Sequence, residues 1–144
     1  MSGALYSIDV LRKAAQVADF PPLADGALRE ERRSPTCGSR VTVTLAVDAD
    51  GRVSAVGLEA KACALGQAAS AILAQSAVGR DLADLAAASE VWRAYLAGEA
   101  ETMPDWPDLH LLAAGKDYPA RHPSMRLAFE AASAALASAV ADHG

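Results

Sequence analysis

Hydrophobic and polar residues alternate most clearly near the middle of the chain, where the pattern predicts a β-hairpin. In the segment 41–47 (VTVTLAV), valine and leucine occupy the odd positions, and threonine and alanine occupy the even ones. The sequence DADGR at 48–52 predicts a turn, because glycine and aspartate tolerate the dihedral angles that a turn requires. The segment 53–60 predicts the returning strand, and the charged segment 27–34 (ALREERRS) predicts a solvated edge strand before them. Together the three segments predict an antiparallel meander.

Helical periodicity marks four further segments. The first, 7–20, stops before two consecutive prolines. The uncharged segment 62–79 predicts a second helix, Asp81 is the N-cap residue of a third, and a fourth begins after Pro123. The apolar positions at helical spacing are Ile8, Leu11, Ala15 and Ala18 in the first helix; Leu65, Ala68, Ala69, Ile72 and Leu73 in the second; Leu82, Leu85, Ala86, Ser89, Trp92 and Leu96 in the third; and Leu127, Ala128, Ala131, Ala135 and Ala139 in the fourth.

The order of these elements predicts the fold class. Strands come first and helices afterwards, which indicates an α+β fold with a small three-stranded antiparallel sheet and helices packed on one face. A turn-rich connection at 103–118, with one short helix at 109–114, precedes the last helix. At 144 residues the chain has the size of one domain, so we expect a single domain over 1–144 with an ordered core at about 5–140.

Composition and charge limit the function classes. With 52% hydrophobic and 22% charged residues, the chain has enough apolar surface to fold, which excludes intrinsic disorder. The net charge of -5 argues against a nucleic-acid-binding module. In the charged segment 27–34, a phosphate-binding patch is the alternative to an edge strand, but Glu30 and Glu31 among the arginines weaken this alternative.

We expect no secretory signal and no membrane span, and therefore a cytoplasmic protein. Motifs for hydrolases, nucleotide binding and zinc proteases are absent, so we do not expect an enzyme.

The hairpin brings the two cysteines together. With 48–52 as the loop, Val47 lies opposite Val53, and counting outward along both strands reaches Cys37 and Cys63 together. We therefore expect these residues to face each other at the open end of the hairpin, with Cα atoms ~4.5–5.5 Å apart. A one-residue bulge would shift the pairing without separating the thiols widely. The alternative is that both cysteines are small buried hydrophobic residues.

A metal site needs three or four ligands, so the histidines are the next candidates. His143 is next to the C-terminal residue, and His110 lies in the turn-rich connection without a partner by spacing. His122, at the start of the last helix, is the best of the three, although a lone histidine there is more often a surface or capping residue.

Several short motifs in a fixed order resemble the NifU/IscU/SufU-type iron–sulfur cluster assembly scaffolds. They are PTCG at 35–38, ACA at 62–64 opening a Ser/Ala-rich helix, GRD at 79–81, and PAR at 119–121. The PAR motif and the long insert before it look most like the SufU branch. The resemblance covers nearly the whole chain and implies an α+β fold. It also implies a protein that accepts sulfur from a cysteine desulfurase and either builds a cluster or, in the SufU branch, binds zinc and relays sulfur.

The site that the resemblance implies is incomplete in this chain. Family members use three cysteines and an aspartate; the first two cysteines match Cys37 and Cys63. Ser39 stands at the aspartate position. Ser124 stands at the third cysteine of the family pattern Pro-Ala-Arg-x-x-Cys, in which the arginine is Arg121. His122 is displaced from the family's histidine position by one residue. A serine hydroxyl stays protonated near neutral pH and replaces a thiolate poorly toward zinc or iron.

Three functions follow from this resemblance. In the first, two chains pool Cys37 and Cys63 around one iron–sulfur cluster, such as a [2Fe–2S] cluster, and pass it to apo-protein acceptors. In the second, one of the two thiols accepts a persulfide from a cysteine desulfurase. In the third, the fold is retained as an interaction protein that binds no metal. Ser39, Arg121, His122 and Ser124 are additional candidate site positions, and a homodimer is the expected assembly of the first function.

Overall fold

The structure, a computed structural model, describes residues 5–24, 27–35 and 38–143. Its elements follow the predicted order and confirm the α+β class. They are α1 (Ile8–Ala15), β1 (Leu28–Arg33), β2 (Arg40–Val47), β3 (Val53–Lys61), α2 (Ala64–Ala77), α3 (Leu82–Leu96) and α4 (His122–His143). Short 3-10 segments lie at Gln16–Asp19, Leu109–Asp117 and Pro119–Arg121.

The three strands form one antiparallel sheet with β2 in the centre. Helix α4 packs on β1 and β2, and α2 packs on β3. The side chains of Val41, Val43 and Leu45 are fully buried. The charged strand β1 lies at an edge of the sheet as predicted, because the strand order is β1-β2-β3.

The predicted turn between β2 and β3 is present, but the register beyond it differs from the prediction. Gly51 has φ +78°, and the Asp48 carboxylate accepts hydrogen bonds from the amides of Asp50 and Arg52. Val47 lies opposite Val53 as expected, but a bulge follows at once. From there on each β2 residue faces the residue one position further along β3, so that Arg40 lies opposite Lys61. A bulge adds one residue to one strand, and the hydrophobic pattern alone does not reveal it.

The other face of the sheet is partly covered by the segment that follows α1. Leu23 donates its amide to the Thr44 hydroxyl, which is buried. This close crossing requires glycine at position 57, because a Cβ there would lie 2.5 Å from both the Pro21 carbonyl oxygen and Thr44 Oγ1. The sheet therefore buries residues on both faces, although its helices lie on one.

The predicted apolar face of the first helix is wrong. Ile8 and Leu11 are 68% and 49% exposed, whereas Val10 and Ala14 are buried. Ala15 and Ala18, the rest of the predicted face, are also exposed. Val10 and Ala14 are four residues apart and form a second apolar stripe beside the predicted one. Packing of α1 on α2 buries the stripe of Val10 and Ala14.

The remaining helices agree with their predicted starts. Asp81 caps α3 and forms a capping box with Asp84. In α3 the predicted Ala86 is exposed and Ala88 is buried instead, because the buried stripe runs through Leu85, Ala88, Trp92 and Leu96. The predicted apolar positions of α2 and α4 are buried. The short helix in the connection is a 3-10 segment that extends to Asp117.

Two buried tryptophans hold the turn-rich connection and α3 in the core. The indole N–H of Trp92 donates to the Met125 carbonyl, and that of Trp106 donates to the Ile72 carbonyl. Phe129 packs edge-on against Trp106, with ring centroids 5.2 Å apart. Within the described ranges, we find no helix with the length and apolar character needed to cross a membrane.

Candidate functional site

One depression collects most of the candidate residues. It lies where β3 ends, between the loop before β2 and the start of α4, and has a volume of about 230 Å³. Its lining residues are Gly38, Ser39, Lys61, Ala62, Cys63, Arg121 and Ser124. Residues separated by up to 86 positions in the chain thus meet at one end of the sheet.

Cys63 occupies the connection between β3 and α2. It is the N-cap residue of α2, with extended backbone (φ −66°, ψ 171°), and its carbonyl accepts the Gln67 amide at 2.9 Å. The side chain is half-buried, and the thiol caps no backbone amide of the helix. The sequence-based placement of Cys63 at the junction of strand and helix is confirmed.

Cys37 lies outside the described residues, so its predicted proximity to Cys63 stays a prediction. The residue next to it, Gly38, lines the same depression as Cys63. Gly38 has φ +76°, a conformation that glycine adopts without strain. The described ladder between β2 and β3 ends at the pair Arg40 and Lys61 and does not include either cysteine.

Ser39 and Ser124 meet inside the depression. Their hydroxyl oxygens are 2.9 Å apart and hydrogen-bonded, and the two residues are 5% and 2% exposed. Ser39 immediately precedes β2, and Ser124 lies in the first turn of α4. The two positions where the resemblance implies an aspartate and a third cysteine therefore adjoin each other.

Gly66 permits the close approach of α2 to this pair, and sequence reasoning missed it. A Cβ at position 66 would lie 2.7 Å from the Ala62 Cβ and 3.3 Å from the Ser124 Cβ. Only a glycine accommodates this approach without a shift of its neighbours. The available sequence signal was the position of Gly66 in the first turn of a helix that begins beside Cys63.

His122 makes its hydrogen bonds away from the depression. Its Nε2 lies 2.9 Å from the Lys116 carbonyl oxygen and 3.1 Å from that of Gly115. Since a carbonyl oxygen only accepts, Nε2 carries a proton and donates here. His122 thus ties the 109–117 segment to the start of α4. His110 is exposed, and the side chain of His143 lies outside the described residues.

The donor atoms that the structure describes at this site do not fit a zinc ion or a complete cluster. No group of three or more His, Cys, Asp or Glu side chains suited to a metal occurs among the described residues. The depression itself offers one described thiol and two hydroxyls that are hydrogen-bonded to each other. Zinc sites in proteins use three or four thiolate, imidazole or carboxylate ligands. One thiol is instead sufficient to accept a sulfur atom.

Basic side chains surround the thiol. Lys61 and Arg121 line the depression with it, and both are exposed. A second depression of about 320 Å³ shares Gly38, Ser39 and Lys61 with the first. Its other lining residues are Arg33, Ser34 and Arg40. Of these cations, sequence reasoning identified Arg121 as a candidate site residue. It did not identify Arg33, Arg40 and Lys61, because their proximity to one another follows from the strand register.

Comparisons with known proteins agree with the fold. The model of a family described as the NifU-like N-terminal domain matches residues 22–138. The crystal structure of a nitrogen-fixing NifU-like protein (N-terminal) from Brucella abortus is similar to this chain with a TM-score of 0.86 and 31% identity, covering 94% of each chain. A comparison with curated protein sequences gives no match.

Two further solved structures share the fold at lower identity. A putative iron–sulfur cluster assembly scaffold protein for the SUF system from Fervidobacterium islandicum AW-1 has a TM-score of 0.78 and 20% identity, covering 94% of this chain and 99% of its own. A hypothetical protein has a TM-score of 0.70 and 19% identity, covering 89% and 96%.

Proposed function

Because the chain belongs to the NifU-like N-terminal domain family, we propose that it takes part in iron–sulfur cluster assembly and that two chains share one cluster. Cys37 and Cys63 of each chain supply four thiolates, the usual complement of a [2Fe–2S] cluster. The cluster is cargo, received from a sulfur source and passed to apo-protein acceptors. The observation that carries the proposal is the hydrogen bond between Ser39 and Ser124, the two positions where the resemblance implies an aspartate and a third cysteine.

The proposal follows from counting ligands in the depression. Within the chain's described part, Cys63 is the one thiol, and Cys37 can add a second beside Gly38. Serine hydroxyls do not complete the set, since they remain protonated near neutral pH and bind iron less well than thiolates. A second chain is therefore the source of the two missing thiolates.

Anaerobic reconstitution with iron and sulfide, followed by light scattering on a sizing column, tests this arrangement. We expect one cluster for two chains, and dimerisation that depends on the cluster. Cys63→Ser, which retains the size of the side chain, should abolish both. The double variant Ser39→Ala, Ser124→Ala is the matched control and should load normally, because neither hydroxyl is a ligand. A monomer that carries a cluster, or a control that fails to load while remaining folded, would refute the shared site.

Sulfur acceptance is the second candidate, and the presence of a single described thiol in a partly exposed depression favours it. The Cys63 thiolate would attack the terminal sulfur of a cysteine persulfide on a desulfurase. The persulfide S–S bond breaks, the desulfurase thiolate leaves, and Cys63 becomes the persulfide. Attack of a Cys37 thiolate on the inner sulfur of that persulfide would then form a disulfide and release hydrosulfide.

Mass spectrometry after incubation with a desulfurase and cysteine distinguishes the two candidates. Sulfur acceptance predicts one added sulfur atom on Cys63 of Cys37→Ser, in which the disulfide cannot form, and none on that position in Cys63→Ser. If Cys63 of Cys37→Ser gains no sulfur, this candidate is wrong. Normal complementation by the double variant Cys37→Ser, Cys63→Ser would contradict both candidates and favour an interaction protein of the same fold.

A further inference from the structure

Three cations lie side by side across one end of the sheet. Arg33 of β1 is directly opposite Arg40 of β2, and Arg40 is directly opposite Lys61 of β3. Residues directly opposite in antiparallel strands share a face, so these three residues form a row, here called the cationic row. With strands about 4.8 Å apart, the row spans about 10 Å. Like charges in directly opposed positions destabilise a sheet, so this arrangement opposes folding.

Carboxylates on the sheet compensate the row only in part. Glu31 contacts Arg33 at 3.0 Å and Arg40 at 3.6 Å. Glu59 lies two residues before Lys61 on the same face, but its exposed carboxylate makes no ion pair with a described residue. Lys61 likewise has no ion-pair partner in the part of the chain that the structure describes. Arg121, which is exposed, adds a fourth cation beside the Lys61 end of the row.

The surface beside the row is concave, and no carboxylate is among the described residues that line its two depressions. The two depressions of about 320 and 230 Å³ adjoin through Gly38, Ser39 and Lys61. Their described lining residues include all four cations, and Glu31 and Glu59 are not among them. A chain with a net charge of -5 thus presents one local concentration of positive charge in a continuous groove.

We propose that this groove binds a short acidic segment of a partner protein. Several carboxylates spread along an extended peptide match cations that are spaced over about 10 Å. A single inorganic anion would contact only part of the row. A nucleic acid would extend beyond the groove onto a surface that is negative overall. The proposal concerns recognition of the partner and does not depend on metal, cluster or sulfur chemistry at Cys63.

Fluorescence anisotropy with a labelled peptide of alternating glutamate and serine tests the proposal on the full chain without added metal. We expect binding that weakens as salt is added, and no binding of the peptide in which glutamine replaces glutamate. Lys61→Gln and Arg33→Gln should each weaken binding about two- to fivefold, the range that exposed ion pairs give. Arg12→Gln is the matched control, because Arg12 is an exposed cation on α1, and it should bind as the wild type does.

Thermal unfolding of the same variants separates binding from folding. Because Lys61→Gln removes a like-charge contact, we expect its Tm to equal or exceed that of the wild type while binding falls. A lower Tm for this variant would assign Lys61 a structural role and overturn the proposal. Equal binding of the glutamate and glutamine peptides, displacement by sulfate at the peptide's own concentration, or tighter binding of single-stranded DNA than of the peptide would also overturn it.

Discussion

The hydroxyl pair of Ser39 and Ser124 decides how many ligands one chain can offer. Their oxygen atoms are in direct contact, so these two positions project toward the same point beside Cys63. A carboxylate at position 39 and a thiolate at position 124 would converge there, together with the Cys63 thiol. Positions 39, 63 and 124 therefore line one depression, while the described side chains there offer one thiol and two hydroxyls.

We therefore expect the double variant Ser39→Asp, Ser124→Cys to bind zinc at one ion per chain. Without metal its Tm should fall, because position 39 is only 5% exposed and burial of a carboxylate is unfavourable. With zinc the Tm should rise above that of the metal-free variant, since a ligand that binds only the folded state stabilises it. Thermal unfolding with and without zinc, together with metal analysis, provides the measurement.

The control for this variant is Ser39→Asn, Ser124→Ala, which keeps similar side-chain sizes but adds no anionic ligand. It should show no stabilisation by zinc. If the designed variant also gains nothing from zinc while remaining folded, the two positions do not converge with Cys63.

The sequence predicts the positions of some site residues but not the contacts of others, because different interactions determine them. Cys63 was placed correctly, because a strand pattern that ends before a Ser/Ala-rich helix fixes a junction. The residues Ser39, Arg121 and Ser124 came from the family resemblance, and the depression contains all three. The hydrogen bonds of His122 could not be foreseen, because they depend on carbonyl groups of a 3-10 segment whose path is set by tertiary packing.

At the scale of the sheet, the electrostatic balance depends on Glu31. Its hydrogen bond with Arg33, and its proximity to Arg33 and Arg40, hold the pKa of the Glu31 carboxyl below the ordinary value of 4.5. A carboxyl whose pKa is depressed on folding stabilises the protein above its unfolded pKa. That contribution is lost as the pH falls through the folded pKa.

We expect Glu31→Gln to flatten the decrease of stability below pH 4.5 and to lower the Tm slightly at neutral pH. The effect is small because the carboxylate is exposed to solvent. The variant should also bind the acidic peptide more tightly, since it removes the counter-charge of the cationic row. Tm measured from pH 3 to 7 gives the profile; Glu59→Gln, on the same face and without an ion pair to a described residue, is the control for the removal of one carboxylate. Identical slopes for wild type and Glu31→Gln would contradict this prediction.

Some features of the strands and helices can be predicted from the sequence pattern, and others cannot. The alternation in β2 and the DADGR turn fix the hairpin, because Val41, Val43 and Leu45 on one face of β2 are fully buried. The bulge after Val47 was not predictable, and it changes which residues face each other, including the pair Arg40 and Lys61. In α1 the burial of Val10 over Ile8 depends on contact with α2 and not on the periodicity of α1 itself.

At the scale of the whole molecule, Lys13 connects the N-terminal helix to the segment that supports the site. Its ammonium donates to the Gln75 side chain of α2 at 2.6 Å and to the Asp108 carboxylate at 2.7 Å. Asp108, with a left-handed φ of +68°, immediately precedes the 109–117 segment. Carbonyl groups of that segment accept the His122 hydrogen bonds at the start of α4. The Lys13 contacts, the 109–117 backbone and the His122 hydrogen bonds thus link α1 to the start of α4.

We expect Lys13→Met to lower the free energy of unfolding by about 1–3 kcal/mol, because the change removes two hydrogen bonds of a charged group that is only 15% exposed. Methionine retains most of the aliphatic stem, so packing of α1 on α2 should persist. Hydrogen exchange should accelerate at 109–118 and, through His122, at 121–125. Arg12→Gln, whose partner Asp9 is 3.9 Å away on the exposed side of α1, should leave both regions unchanged. Faster exchange confined to α1 would show that the Lys13 contacts do not extend to the site.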